Sequence, residues 1–178
     1  MEYLFKTHRL GFRPWRESDL EPLAALNADP VAMEYFPAAL TRDETAAMIA
    51  RFSAHFEEHG YCFFPVDLLK TGECIGFIGI SNPRFESYFT PCVEIGWRLS
   101  RSVWGMGLAT EGARACLEYA FSNFDIPRIY SFTSVHNHRS QRVMIKAGME
   151  QIGEFDHPSI PEGHWLQRHV LYCLERKP

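Results

Sequence analysis

The sequence predicts one mixed α/β (α+β) domain, in which a central sheet of about seven strands carries about four helices on its faces. Three observations predict it. Two apolar, aromatic-rich runs, 61–69 and 74–81, flank Lys70-Thr71-Gly72-Glu73 and read as an antiparallel hairpin. A strand, a glycine turn, a helix and a second strand follow one another between 93 and 135, which implies a parallel pair with a right-handed crossover. Two segments near the start carry the capping-box spacing that opens helices.

The elements follow in order. Residues 9–13 alternate as a short strand, ended by Pro14, and Ser18-Asp19-Leu20-Glu21 opens a short helix closed by Asp29-Pro30. Thr41-Arg42-Asp43-Glu44 opens a second helix, in which Thr45, Met48, Ile49, Phe52 and Phe56 recur at helical spacing until His59-Gly60 stops it. The hairpin comes next, then a loop over 82–91, then Val93 to Leu99 as a strand. The segment Trp104 to Glu111 opens a helix whose inner face is Leu108, Ala109, Ala113, Cys116, Leu117, Ala120 and Phe121. Asp125-Ile126-Pro127 breaks that helix, and 128–135 is the second strand of the parallel pair. Asn137 is the N-cap of a last helix stopped by Gly148. Two strands, 149–155 and 165–174, finish the chain, the first weakened by two glutamates and a glycine.

Composition narrows the function. With 178 residues and 46% hydrophobic content, the chain can bury a core without disulfides or metal. No signal-peptide pattern and no run long enough to span a bilayer is present, so a soluble, cytoplasmic protein is expected. The five cysteines, Cys62, Cys74, Cys92, Cys116 and Cys173, are widely spaced without a Cys-x-x-Cys, which argues against a disulfide framework or zinc knuckle. A net charge of -4 without a Lys/Arg cluster offers no footprint for nucleic acid or an anionic membrane.

The segment Trp104-Gly105-Met106-Gly107-Leu108-Ala109-Thr110-Glu111 carries the main chemical signal. Small residues at 105, 107 and 109 allow close backbone approach, and the helix start leaves N–H groups without partners at the positive end of the helix dipole. Such a turn receives a phosphate or pyrophosphate; the plain alternative is a tight turn shaped by two glycines. The Gly-Lys-Ser/Thr of a nucleoside triphosphate loop and the third glycine of a dinucleotide fingerprint are both missing.

This segment, following Glu94-Ile95-Gly96-Trp97-Arg98-Leu99, resembles the acetyl-CoA pyrophosphate loop of the GNAT acetyltransferases, Arg/Gln-x-x-Gly-x-Gly/Ala. Gly107 and Ala109 match; Trp104 stands where Arg or Gln is usual, a departure that shapes the pocket wall more than the backbone donors. Asn137-His138-Arg139-Ser140 through Gly148 resembles the second cofactor-side motif. With Leu10 to Trp15 and Ser18-Asp19-Leu20, it points to the RimJ/RimL type, the ribosomal-protein N-terminal acetyltransferase branch. The resemblance spans essentially the whole chain. It implies a GNAT-like, mostly antiparallel sheet with a splayed parallel pair, and an enzyme that passes the acetyl group of acetyl-CoA to a primary amine. The acceptor is a peptide N-terminus or a small amine; no metal takes part, and a homodimer stays open.

By the same resemblance, main-chain groups of Trp97, Arg98 and Leu99 bond pantetheine as an added strand would. Trp104, Gly105, Met106, Gly107, Leu108, Ala109 and Thr110 form the pyrophosphate turn, and the N–H near Leu99 serves the oxyanion. Asn137 holds pantetheine or orders a water, and Ser140 binds the cofactor or protonates the departing thiolate; each is equally a helix-cap residue. Glu94 is the general base, directly or through water, if its pocket raises its pKa; otherwise it is a surface carboxylate. Many relatives place a tyrosine acid where this chain has Met144, which cannot donate a proton.

Other features carry less. Cys92 and Cys116 suit packing better than an acyl-enzyme, so direct transfer is expected, and His136-x-His138 lacks further ligands for a metal. Phe63, Phe64, Phe85, Tyr88, Phe89 and Trp165 are core or acceptor-pocket aromatics, and the loop 82–91 is the expected acceptor-recognition element. Against the enzyme stand a non-catalytic acyl-CoA sensor, favoured only by Met144, and a nucleotide-binding regulatory domain, disfavoured by the missing phosphate-loop lysine.

Overall fold

The computed structural model describes residues 2–177. Short strands β1 (Phe5–Lys6) and β2 (Leu10–Phe12) lead through a single 3-10 turn, Glu17–Asp19, into α1 (Leu20–Ala28) and α2 (Arg42–His59). Strands β3 (Phe63–Leu68), β4 (Glu73–Ser81) and β5 (Glu94–Leu99) precede α3 (Leu108–Asn123). Then come β6 (Arg128–Ser134), α4 (His138–Lys146), β7 (Glu150–Asp156) and β8 (Arg168–Glu175). The strands form one eight-stranded sheet in the order β1-β2-β3-β4-β5-β6-β8-β7, antiparallel throughout except for β5 beside β6.

The extra strand β1 is only two residues long, too short for an alternating pattern to register, and it exists by pairing with β2. The helix starts divide instructively. At α2 the expected box forms: the Glu44 N–H donates to Thr41 Oγ1 at 3.2 Å, the Thr41 N–H donates to Glu44 Oε2 at 2.7 Å, and Gly60 closes the helix at φ 78°. At α1 the expected Ser18 cap is corrected. The chain enters through the 3-10 turn, and the Asp19 carboxylate turns inward to accept from the Arg16 N–H and the Arg13 guanidinium. The last strand also starts later than expected, at Arg168, because Trp165 and its neighbours form a turn. Strand β7 pairs only with β8, at the edge of the sheet, where its glutamates reach water.

Each face of the sheet packs its own helices. Ile78, Ile80, Ile95 and Leu99 join Leu108, Ala113, Cys116 and Leu117 of α3 and Met144 of α4 in the main core. On the other side Phe77 meets Leu23, Leu26 and Met48 of α1 and α2. A satellite cluster of Phe89, Phe155 and Leu171, with Phe85 and Phe132 against it, fills the space behind β6 and β8.

Between β5 and β6 the ladder fails. The only register contact is Glu94 opposite Tyr130, supported by the Tyr130 N–H to Val93 O bond at 2.9 Å and the Ser131 hydroxyl to Ile95 O bond at 2.9 Å. Beyond Ile95 the strands part, and a wedge opens between them.

Candidate active site

The wedge widens into a cleft of about 670 Å3. Strand parity settles what β5 presents to it. The Ser100 N–H donates to Ile75 O at 2.8 Å, so residues 98, 96 and 94 spend their main-chain groups on β4, and residues 95, 97 and 99 turn theirs toward β6. The carbonyls of Val93 and Ile95 are taken by β6, and that of Leu99 by the Trp104 indole at 2.8 Å. The Trp97 N–H and C=O and the Leu99 N–H are therefore left facing the wedge. The Arg98 main chain is not among them, because it lies in the ladder opposite Phe77; what Arg98 brings to the cleft is its side chain.

At the turn, Gly105 and Gly107 hold φ values of 77° and 78°, a region that favours glycine. Gly107 is the N-cap of α3 without any side-chain cap, and the first helical bond is from the Glu111 N–H to Gly107 O. The N–H groups of Leu108, Ala109 and Thr110 thus point out of the helix start unpaired, a ready receptor for a diphosphate. A contact the sequence does not announce sets this turn: Arg9, just before β2, donates to Met106 O at 2.9 Å and pairs with Glu111.

Of the expected cofactor residues, Trp97, Arg98, Leu99, Trp104, Gly105, Gly107, Leu108, Ala109, Asn137 and Ser140 line this cleft together with Glu94. Two stand apart: the Met106 side chain is exposed, and Thr110 faces a shallow groove on the other side of the turn with Lys6 and Arg114. Asn137 is occupied as a cap, its Oδ1 accepting from the Ser140 N–H at 3.1 Å and its Nδ2 donating to Thr133 Oγ1 at 3.0 Å. The Ser140 hydroxyl has no protein partner among the described residues. Met144 is buried in the main core and does not line the cleft.

Glu94, Gly96 and Arg98 share the β5 face that looks toward α1 and α2. A Cβ on Gly96 would lie 3.1 Å from Cε1 of the Phe63 ring, so glycine lets that ring close over the strand. Surrounded by such neighbours, and without an ion-pair partner among the described residues, the Glu94 carboxyl is pushed up to about 8 by burial. At the far end His157 and His169 stand 5.0 Å apart, ring to ring. Burial, and for His157 also its neighbour His169, pushes His157 down to about 4, and burial lowers His169. Burial favours the neutral form of both; the Ser159 N–H donates to His157 Nδ1, and His169 Nδ1 lies 3.1 Å from Gln167 O, which can only accept.

The acceptor side differs from expectation. The loop 82–91 does not line the cleft; Phe85 and Phe89 pack into the satellite cluster, Phe64 is core, and Tyr88 and Trp165 are exposed. Phe63 alone of the six expected aromatics forms wall. The connection between α1 and α2 supplies the rest through Tyr35 and Phe36. It is held across the cleft by the Glu34–Arg139 ion pair at 3.0 Å, by Arg139 lying 4.4 Å over Trp104, and by Tyr35 beside Trp165. Its signal in the sequence was Tyr35-Phe36-Pro37, an aromatic pair before proline in a helix connection.

The cysteines lie away from the cleft. The five cysteines are free thiols; burial pushes Cys92 up to about 12 and Cys116 well above its ordinary value, and neither lines the cleft. Among the described residues no group of three His, Cys, Asp or Glu is placed to hold a metal ion, and no helix is long and apolar enough to cross a membrane.

A splayed parallel pair ending at an uncapped helix start defines a site for a long ligand with a phosphate at one end. The family profile described as acetyltransferase (GNAT) domain matches residues 9–150, and the chain belongs to that family. An uncharacterized N-acetyltransferase of Bacillus subtilis, YnaD, is 30% identical over 96% of both chains. A GNAT-family acetyltransferase from Bacillus anthracis superposes with a TM-score of 0.79 at 27% identity, covering 96% of each chain. RimL, a ribosomal L7/L12 α-N-protein acetyltransferase solved with coenzyme A, shares the fold at a TM-score of 0.77 and 19% identity over 98% of each chain.

Proposed function

We propose that this acetyltransferase moves the acetyl group of acetyl-CoA onto a primary amine by direct attack, in the cytoplasm, without a covalent enzyme intermediate. The RimJ/RimL-like assignment belongs to the same reading and rests on the motifs around Leu10 to Leu20, Trp104 to Glu111 and Asn137 to Gly148. The observation that carries it is a raised carboxyl, Glu94, in one cleft with the unpaired donors of Leu108 and Ala109 and the wedge-facing groups of Trp97 and Leu99.

Acetyl-CoA supplies an activated thioester, and the chain's own groups do the rest. The helix start holds the diphosphate, and Trp97 binds pantetheine as a missing strand would. The Leu99 N–H serves the oxyanion. A new C–N bond forms to the acetyl carbon as the C–S bond breaks; the amine proton goes to Glu94, directly or through water, and a proton returns to the thiolate. With Met144 buried in the core, the Ser140 hydroxyl is the donor within the cleft for that last step.

The deciding experiment is CoA release from acetyl-CoA against a panel of short peptides and small amines, with product mass locating the acylated nitrogen. Release with no acceptor, while acetyl-CoA still binds, would leave a cofactor sensor as the better reading. In wild type, kcat/KM should rise with pH up to about 8, where Glu94 ionises. Glu94→Gln should lower kcat on the order of a hundredfold and flatten that limb; a retained limb would remove Glu94 as base. Gly107→Val should weaken acetyl-CoA binding about tenfold or more in calorimetry, because a branched residue resists φ 78° at the diphosphate seat.

A further inference from the structure

Arg98 is a half-buried cation without a counter-ion among the described residues. Its NH1 donates to Asn27 Oδ1 at 2.6 Å, its guanidinium lies 4.0 Å over the Phe36 ring and 5.3 Å from Phe77, and its Nε is buried with no hydrogen-bond partner. No carboxylate pairs with it among the described residues, although Glu94 shares its strand face. A guanidinium presents its Nε edge as one arm of a fork that fits a carboxylate side-on. A desolvated arginine with that edge unmet is costly to keep unless something arrives to complete it.

The surroundings say from which side the partner comes. Phe36 and Phe77 put the guanidinium on the α1–α2 face, opposite the face where α3 starts and the diphosphate would sit. The cofactor's phosphates therefore have their own receptor. The acceptor side of the cleft also holds His157, His169 and Glu94, each pushed by burial toward its neutral form, so Arg98 is the group there whose charge lacks a partner among the described residues. Burial without a compensating anion has already lowered the arginine's pKa to about 10.

We infer that Arg98 is a specificity residue for the acceptor: the amine acetylated by this protein carries a carboxylate, bound side-on by the Arg98 fork while the amine lies at Glu94. The inference rests on the proposed amine acetylation and adds the acceptor's chemical class. Four residues of strand separate the two α-carbons by about 13 Å. The anion therefore sits several bonds from the reacting nitrogen, as in an ω-amino acid or a peptide N-terminus followed by an acidic residue. Nε is out of reach of water in this structure, so the carboxylate must open a way to that edge, while Phe36, stacked on the guanidinium, covers its face. The bond from Asn27, itself tied to Thr45 at 3.0 Å, keeps the guanidinium in place meanwhile.

The test uses acceptor twins. Amino acids from β-alanine to 6-aminohexanoate are compared with their amides, Gly-Glu-amide with Gly-Gln-amide, and spermidine serves as the cationic extreme. Wild type should use the best acid at least about tenfold better in kcat/KM than its amide twin, chiefly through KM, and spermidine worst. Arg98→Met should make the twins equal, and Arg98→Lys, which keeps the charge but not the fork, should recover part of the preference. Twins used within about twofold by wild type, or a preference that survives Arg98→Met, would overturn the inference and leave amine acetylation standing. Silence with every amine would overturn both. Should Arg98→Met fail to fold, the wild-type twins and Arg98→Lys decide alone.

Discussion

Two arginines are held within this fold, and they are held in opposite ways. Arg13 donates to Asp67 through Nε and NH2 at 2.7 Å each, to Asp19 through NH1 and NH2 at 2.7 and 2.8 Å, and to Pro14 O at 3.2 Å. All five of its hydrogens are spent. Burial works to lower its pKa, but the bonds to Asp19 and Asp67 outweigh it and hold the charge more firmly than in water. Arg98 spends one bond on Asn27 and leaves Nε unmet. The first is a fastener joining β2, β3 and the entry to α1; the second sits in the cleft with its chemistry unfinished. The same residue type thus marks architecture in one place and an available receptor in the other, and the partner list separates the two.

The comparison can be broken by truncation. Arg13→Met should cost about 3–5 kcal/mol, since it strands two buried carboxylates, and denaturant unfolding at pH 7 would read it. A loss under about 1 kcal/mol would deny Arg13 its fastening role. Glu94 gives the next effect, and its sign is opposite to that of a paired carboxylate. Its folded pKa is raised from about 4.5 to about 8, so the unfolded chain releases the proton first. Wild-type stability should therefore fall as pH rises from about 4.5 to 8, whereas Glu94→Gln lacks this slope. The variant should gain about 2–4 kcal/mol over wild type at pH 8–9, relative to pH 4, in parallel melts. The smallest change belongs to Arg98→Met, which trades one hydrogen bond and a cation–π contact for relief of an unpaired charge. A shift under about 2 kcal/mol is expected in the same unfolding assay. A loss as large as that of Arg13→Met would make both arginines fasteners.

The sequence spoke clearly where structure is local. The Thr41–Glu44 box, the hairpin around Gly72, the glycines at 105 and 107 and the Asn137 cap each depend on a few neighbouring residues, and all lie where their spacing puts them. It was silent where the answer lies in register. The resemblance gave the Arg98 main chain to pantetheine, and only the pairing of Ser100 with Ile75 shows that it is spent on β4 instead. Ser18 looked like a cap because Asp19 was not known to be claimed by Arg13. The loop 82–91 was expected to recognise the acceptor, but its aromatics pack against β6 and β7, while the connection through Phe36 reaches the cleft. An aromatic in a loop fills whichever space tertiary packing leaves.

The lone register contact between β5 and β6 has a mechanical consequence. Strands β1 to β5 and strands β6 to β8 are two half-sheets joined in the sheet at one point, Glu94 beside Tyr130. A door swings most at its edge and least at its hinge. Any tilt of one half against the other would therefore move the far end of the wedge most and the carboxyl at the pivot least.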